Sequence, residues 1–312
     1  APRVMYHAIG TDPGTDVQLF GDGYGLQHIP VTLLSDDGRW LLVHVIEGSS
    51  GPTEIHIKDL ASDAPFVAVI QDGVTESWAE FAGDQLVITT NLDAPNKRVV
   101  VADPANPAVE EWTEIIAERR DVVIQDVRGP GGRLAVSFLQ DVQPRAAIYE
   151  LSGAHVRDIA FDTIGAVGGG AGRWTSDEAF FTFQSYHRPT TIYRYDLATG
   201  DQTVWAQVEV PIDTDRYTVT QTWFESKDGT RVPMFVTHRD DVVLDGENPT
   251  LLTGYGGFNL SMTPAFSSLA AVWLEHGGVF AEANMRGGGE FGEAWHRDGM
   301  LERKQNVFDD FI

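Results

Sequence analysis

Four stretches decide the fold: Glu54-Ile-His-Ile-Lys-Asp59-Leu60, Arg98-Val-Val-Val-Ala-Asp103-Pro104, Ala147-Ile-Tyr-Glu150-Leu151 and Thr191-Ile-Tyr-Arg-Tyr-Asp196-Leu197. Each is a β-branched or aromatic run ending in an acidic residue. The acidic landmarks Asp59, Asp103, Glu150 and Asp196 stand 44, 47 and 46 residues apart. Working outward, a second β-rich run precedes each one after a turn signal. Asp37-Gly38 leads into Trp40–Ile46, Gly83-Asp84 into Leu86–Thr90, Gly131-Gly132 into Leu134–Leu139, and Ser176-Asp177 into Ala179–Phe183. Glycine and aspartate favour turns, and β-branched and aromatic side chains favour extended chain, so each pair reads as a hairpin. Short strands at a period in the forties predict a β-propeller with four-stranded blades. A β-sandwich with chance spacing is the competing reading. Four units are clear, with remnants before residue 30 and after residue 200. Val4-Met-Tyr-His-Ala-Ile9 alternates like a strand, so further blades are expected ahead of Ala1.

The character changes near residue 217. Tyr217–Glu225 and Val232–His238 flank the turn Ser226-Lys-Asp-Gly-Thr230 and predict a hairpin. A β run at Thr250–Thr253, a glycine-rich turn, a helix-like stretch Ser267–His276 and a strand Val279–Ala283 follow. Strands alternating with helices predict an α/β layer fold. Val307, Phe308, Phe311 and Ile312 fall on one face of a helix predicted over Lys304–Ile312. That helix carries no stop signal, so the natural chain is expected to continue.

Composition narrows the function. The 312 residues suit two domains. Asp and Glu number 46 against 22 Lys and Arg, a formal charge of −24. Such a field repels phosphate backbones, so neither nucleic acid nor an anionic membrane is expected as a partner. There is no cysteine, which excludes disulfides, thiolate nucleophiles and thiolate-held zinc from this stretch. The apolar runs are too short to span a bilayer, and no signal peptide is visible. The chain opens on Ala1, so its natural N-terminus is expected to have been removed or to lie upstream. The compartment is left open between cytoplasm and periplasm.

The turn Gly254-Tyr-Gly-Gly-Phe-Asn259 follows a strand, as a dinucleotide-binding turn does. Its third glycine position is Asn259, however, and no acidic ribose partner follows. No G-K-[ST] phosphate loop occurs, so no cofactor is expected. In Asn284-Met-Arg-Gly-Gly-Gly-Glu-Phe-Gly292 three successive glycines imply positive φ or close backbone approach. A tight structural loop braced by Arg286 and Glu290 is favoured there over direct substrate contact. His296 has no partner suggesting a metal and reads as structural. The strained serine turn G-x-S-x-G is absent. Gly48-Ser-Ser-Gly51 has the wrong spacing and reads as a turn. No residue of this chain is a credible nucleophile.

Three motifs carry a family resemblance in order and spacing: Gly254-Tyr-Gly-Gly-Phe-Asn259, Asn284-x-Arg-Gly-Gly-Gly-Glu-Phe-Gly-x-x-Trp-His296, and Lys304-Gln-Asn-x-Phe-Asp-Asp-Phe311. They strongly resemble the prolyl oligopeptidases. Ser226-Lys-Asp-Gly-Thr-x-Val-Pro-Met-Phe235 resembles that family's entry into its hydrolase domain. Tyr6-His-x-x-Gly-Thr11 and Leu34-Ser-Asp-Asp-Gly38 match its middle blades more loosely. The resemblance implies part of a seven-bladed propeller over residues 1–212, incomplete at its start. It also implies the first part of an α/β-hydrolase peptidase domain over residues 213–312. The nucleophile is expected some twenty residues beyond Ile312, with its Asp and His later still.

By resemblance, Tyr255 supplies one donor of the oxyanion hole, and Phe258 lines the slot for the residue before the scissile bond. The implied activity is a serine endopeptidase that cuts short proline-containing peptides after proline, through an acyl-enzyme. The complete enzyme is expected to be a monomer, and this stretch alone to be inactive. Two alternatives stay open: an oligopeptidase specific for basic residues, and a non-catalytic propeller binding module. The turn Gly-Gly-Phe-Asn259 and the Trp-His296 pair follow the prolyl pattern.

Overall fold

The computed structural model describes residues 1–48 and 51–312, so the Ser49–Ser50 part of the turn read at Gly48–Gly51 lies outside the described residues. The chain divides into two compact units, Ala1–Ala94 with Arg98–Glu114, and Pro95–Lys97 with Ile115–Ile312. In the first, β1 (Val4–Tyr6) pairs antiparallel with β2 (Val17–Phe20). Strands β3 (His28–Leu34), β4 (Trp40–Glu47), β5 (Thr53–Asp59) and β6 (Val67–Ile70) then form one antiparallel sheet in sequence order. A second sheet holds β7 (Ser77–Ala82), β8 (Gln85–Thr90), β9 (Arg98–Ala102) and β10 (Thr113–Ile116).

The second unit repeats the plan twice. One sheet holds β11 (Val122–Arg128), β12 (Arg133–Gln140), β13 (Gln143–Glu150) and β14 (His155–Ile159). The next holds β15 (Ala166–Ala171), β16 (Glu178–Gln184), β17 (Thr191–Asp196) and β18 (Gln202–Gln207). The hairpins read from the sequence are the two central strands of all four sheets. The β-rich residues after 200 are not the remnant of a further unit. They form β18, the outer strand of the fourth sheet.

Register explains the period. Asp59 pairs with Trp40, Glu150 with Arg133, and Asp196 with Glu178. Each landmark acid therefore closes a central hairpin beside the turn that opens it. Asp59, Asp103 and Asp196 then accept the backbone N–H two residues on, from Ala61, Ala105 and Ala198, which turns the chain toward the outer strand. Glu150 is longer and reaches Arg133 instead.

The central strands of the first three sheets bury residues on both faces, while β16 buries alternate residues. Leu42, Ile55, Ile57 and Ile70 pack against Ala79, Leu86, Ile88 and Val100 of the following sheet. In the second unit Ala135, Ala146, Ile148 and Ile159 meet Ala179, Phe181, Tyr195 and Leu197 in the same way. Fully burying one such aliphatic side chain contributes about 1.5–3 kcal/mol, and the contact recurs because the sequence does.

After β18 the pattern changes. The hairpin β19 (Tyr217–Glu225) and β20 (Arg231–Arg239) joins β21 (Thr250–Gly254) and β22 (Val279–Ala283) in the order β19-β20-β22-β21. Strands β21 and β22 run parallel, with α1 (Ser268–Glu275) as the crossover, its N-terminus capped by the Ser267 hydroxyl. Short helices α2 (Glu293–Arg297) and α3 (Gln305–Phe311) follow. Tyr186, Tyr217, Phe235, Leu274 and Phe280 form the core between α1, this sheet and the turn joining β16 to β17.

Helix α3 divides its apolar residues. The face of α3 turned inward carries Val307 and Asp310, while Phe308, Phe311 and Ile312 are exposed. Asp310 rotates the helix inward because its carboxylate meets Arg286 in the interior.

Candidate functional site

Tyr255 and Phe258 stand on the turn that leaves the C-terminal end of β21. Gly256, Phe258 and Asn259 all have positive φ, +61°, +54° and +56°. For an aromatic residue this left-handed conformation is rare, and such positions cost about 1–3 kcal/mol each. A Cβ on Gly256 would collide with Val307 Cγ1 and crowd the Arg286 carbonyl oxygen, so only glycine fits there.

The strained turn is held from below. The Asn259 N–H donates to Gly287 O at 3.1 Å, and Lys304 Nζ donates to Gly256 O at 2.7 Å. The Met262 N–H donates to Glu290 Oε1 at 2.8 Å. This anchoring displays two aromatic rings and, beside them, Leu260. The Tyr255 and Phe258 rings are half-exposed and stacked, with centroids 6.3 Å apart at 27°. Two clefts of about 490 and 530 Å³ open elsewhere in the same unit, and neither is lined by either ring.

The glycine run packs beneath the turn. A Cβ on Gly287 would crowd Gly256 O at 2.7 Å, and one on Gly289 would crowd Asn259 O at 2.7 Å. Close approach of two backbones is therefore what Gly287 and Gly289 serve. His296, on α2, places Nδ1 2.8 Å from Gly287 O and 3.1 Å from Asn259 N, which makes it part of the same seam. Trp295 Nε1 donates to Met285 O at 3.1 Å.

The two residues expected to brace the loop do so by different means. Arg286 is buried and forks onto Asp310, with Nη2 2.6 Å from Oδ1 and Nε 3.0 Å from Oδ2, while Nη1 meets Asp228 at 2.6 Å. The Arg286 guanidinium holds the Asp228 carboxyl well below the usual range. Among the described residues Glu290 has no cationic partner. Burial pushes its carboxyl up to about 7, while the Met262 N–H and Asn284 oppose the shift.

Sequence reasoning missed Glu282, Tyr186 and Asp310 as individuals. Glu282 sits on the buried strand β22 and accepts from the Tyr186 hydroxyl at 2.5 Å. Burial raises the Glu282 carboxyl above its ordinary value, against the pull of that hydrogen bond. The one available signal was an acid inside an otherwise apolar strand, Val-Phe-Ala-Glu-Ala283. For Asp310 it was an acid three residues after Val307 on a helix. Among the described residues no cluster of three or more His, Asp or Glu could hold a metal, and no helix is long and apolar enough to cross a membrane.

Four-stranded sheets leading into a parallel β-α-β layer, with an aromatic turn at the end of its first parallel strand, define a propeller joined to an α/β hydrolase. Known proteins agree. Residues 1–208 match the family described as "Prolyl oligopeptidase, N-terminal beta-propeller domain", and residues 264–312 match "Prolyl oligopeptidase family". The prolyl endopeptidase of Elizabethkingia meningoseptica is 35% identical over 312 residues, covering 99% of this chain and 44% of the relative. A solved structure from a mechanistic study of two prolyl endopeptidases superposes with a TM-score of 0.91 at 37% identity, over 99% of this chain and 45% of that one. Prolyl oligopeptidase B from Galerina marginata, solved with a 35mer hydrolysis and macrocyclization substrate, gives 0.90 at 30% identity, over 99% and 45%.

The chain belongs to the prolyl oligopeptidase family. Its four sheets are propeller blades, and the chain after them begins the α/β-hydrolase domain. It spans about 44% of the length of the curated relative from Elizabethkingia meningoseptica.

Proposed function

We propose that the protein carrying this chain is a serine endopeptidase that cleaves short peptides on the carboxyl side of proline through an acyl-enzyme. Residues 1–212 form its propeller portion and residues 213–312 the opening of its peptidase domain. The Tyr255 hydroxyl donates to the oxyanion that develops as the scissile carbonyl becomes tetrahedral. Phe258 offers a flat apolar wall to the proline ring before the scissile bond.

The observation that carries this reading is the turn itself. Three successive anchors hold a left-handed backbone that presents two half-exposed aromatic rings. Strain of that kind persists where the surroundings over-determine it, and exposed rings on a rigid base suit recognition better than packing. A hydroxyl already aimed at the developing charge needs no reorganisation during reaction, which is why such a donor contributes about 2.7–4 kcal/mol.

Tyr255→Phe tests it in the full-length protein. The ring and the turn survive and only the donor goes. The expected result is a fall in kcat of about 10²–10³ on a proline-containing peptide, with KM changed far less and Tm unchanged. A kcat within twofold of wild type would remove Tyr255 from the site.

A further inference from the structure

We propose that Glu290 is a positioning residue for Tyr255: a proton on its carboxyl lets it fasten the aromatic turn to the glycine-rich loop, and loss of that proton loosens the turn. The proposal rests on the role given above to Tyr255.

The geometry lies beneath the turn rather than in it. Met262, three residues beyond Asn259 on the segment that leaves the turn, is gripped at both backbone groups. Its N–H donates to Glu290 Oε1 at 2.8 Å, and its carbonyl accepts from Asn284 Nδ2 at 2.6 Å. Asn284 Nδ2 also lies 3.4 Å from Glu290 Oε1, so the amide and the carboxyl are neighbours. Both side chains are buried, Glu290 at 1% exposure and Asn284 at 0%. Each has one oxygen, Glu290 Oε2 and Asn284 Oδ1, that meets no hydrogen-bond partner among the described residues.

Two adjacent buried groups with an orphan acceptor apiece are poorly served by a carboxylate. Leaving such an acceptor unpaired costs about 1–3 kcal/mol, and more if it is charged. A proton on Oε2 converts one orphan acceptor into a donor. Acceptors are close by: Oε2 and the Leu260 carbonyl oxygen of the turn both reach into the space a Gly288 side chain would fill. The middle glycine of the run therefore makes room for this carboxyl.

Among the described residues no cation is paired with Glu290. From β22 the charged neighbour is Glu282, which favours the proton further. Arg286, on the same loop, is committed to Asp310 and Asp228. Lys304, just ahead of α3, is committed to Gly256 O, and Tyr255 is the sole titratable side chain of the turn. Burial, with Glu282 adding, pushes the Glu290 carboxyl up to about 7, so the proton leaves in the neutral range. The group then needs water or movement, and the exposed, strained turn is what can move.

The test uses the full-length protein and a proline-containing peptide nitroanilide. Wild-type kcat should fall about tenfold on an alkaline limb centred near pH 7, because small misplacements of a transition-state donor carry losses of that order. Glu290→Gln keeps an uncharged donor in place. It should hold kcat within about threefold of wild type at pH 6, lose the alkaline limb, and outrun wild type at pH 8.5. Glu290→Asp cannot reach Met262 and should lose about 10–100-fold in kcat with KM changed less. An alkaline limb that persists unchanged in Glu290→Gln overturns the proposal.

Wild type alone supplies a second measurement should that variant fail to fold. Infrared difference spectra from pH 6 to 9 should show a buried carboxylic acid ionising near pH 7, and the absence of that titration also overturns it. If Tyr255→Phe leaves kcat within twofold, the Tyr255 reading falls and the positioning role falls with it. If Tyr255→Phe loses 10²-fold while Glu290→Gln behaves as wild type at every pH, the Glu290 role alone falls.

Discussion

Two interiors in the second unit are built on opposite principles. Between the sheets β11–β14 and β15–β18 the contact is apolar, with Ile148, Ile159, Phe181 and Leu197 meeting across it. Beneath the turn at residues 254–259 and the segment leaving it the interior is polar, filled by Arg286, Asp310, Glu290 and Asn284, all 4% exposed or less. The apolar contact is non-directional, so it tolerates exchange among side chains of similar volume. The polar one depends on each donor meeting its acceptor, and a single deletion strands a charge. A propeller blade can therefore drift in sequence while keeping its shape, whereas the base of the turn cannot.

The sharpest way to break this contrast is Asp310→Ala. It strands most of the buried Arg286 guanidinium and removes the acceptor of the Arg286 backbone N–H. A loss of about 3–5 kcal/mol in denaturant unfolding is expected. A loss below about 1 kcal/mol would place the pair with ordinary surface ion pairs and erase the distinction.

Tyr186→Phe probes the seam where the two interiors meet, since Tyr186 comes from the turn joining β16 to β17 and Glu282 from β22. The expected loss is about 1–3 kcal/mol. Its sign with pH follows from burial. The Glu282 carboxyl is already raised in the folded state, and removing the hydroxyl raises it further. A raised carboxyl contributes stability below its unfolded value, and that contribution is lost as pH rises through the folded value. The deficit of Tyr186→Phe in Tm should accordingly shrink at pH 4 and widen toward pH 8. A deficit independent of pH would mean that Glu282 does not titrate with folding.

The smallest effect belongs to the apolar side. Ile148→Val, in the contact between the two blades, should cost about 0.5–1.5 kcal/mol and leave kcat unchanged. A larger loss would show that the blade contact is as exacting as the polar base.

The same contrast separates what could be read in advance from what could not. The central hairpins were legible because period-2 runs and turn residues are local signals, and Asp59, Asp103 and Asp196 each do a local job two residues on. Outer strands such as β14 and β18 were less legible, since an exposed edge shows no apolar alternation; β18 ends in five exposed residues. Close backbone approach could be read from the glycine run, but not the fact that Gly288 makes room for a carboxyl. The turn residues Tyr255 and Phe258 could be singled out only through resemblance. Nothing local distinguishes a displayed ring from a packed one until the left-handed backbone and its anchors are seen.

Sequence alone determined the repeat, the change of architecture near residue 217, the absence of thiol chemistry and the family. These depend on spacing and composition, which survive without coordinates. Tertiary structure decided which face of α3 turns inward and what Arg286 and Glu290 each hold. It also decided that two acids, Glu282 and Glu290, lie buried with no cationic partner among the described residues. Arg286 lies 58 residues from Asp228 and 24 from Asp310, and Tyr186 lies 96 from Glu282. A hydrogen bond works only over about 3 Å. Partners so far apart along the chain are therefore chosen by the fold that brings them within reach.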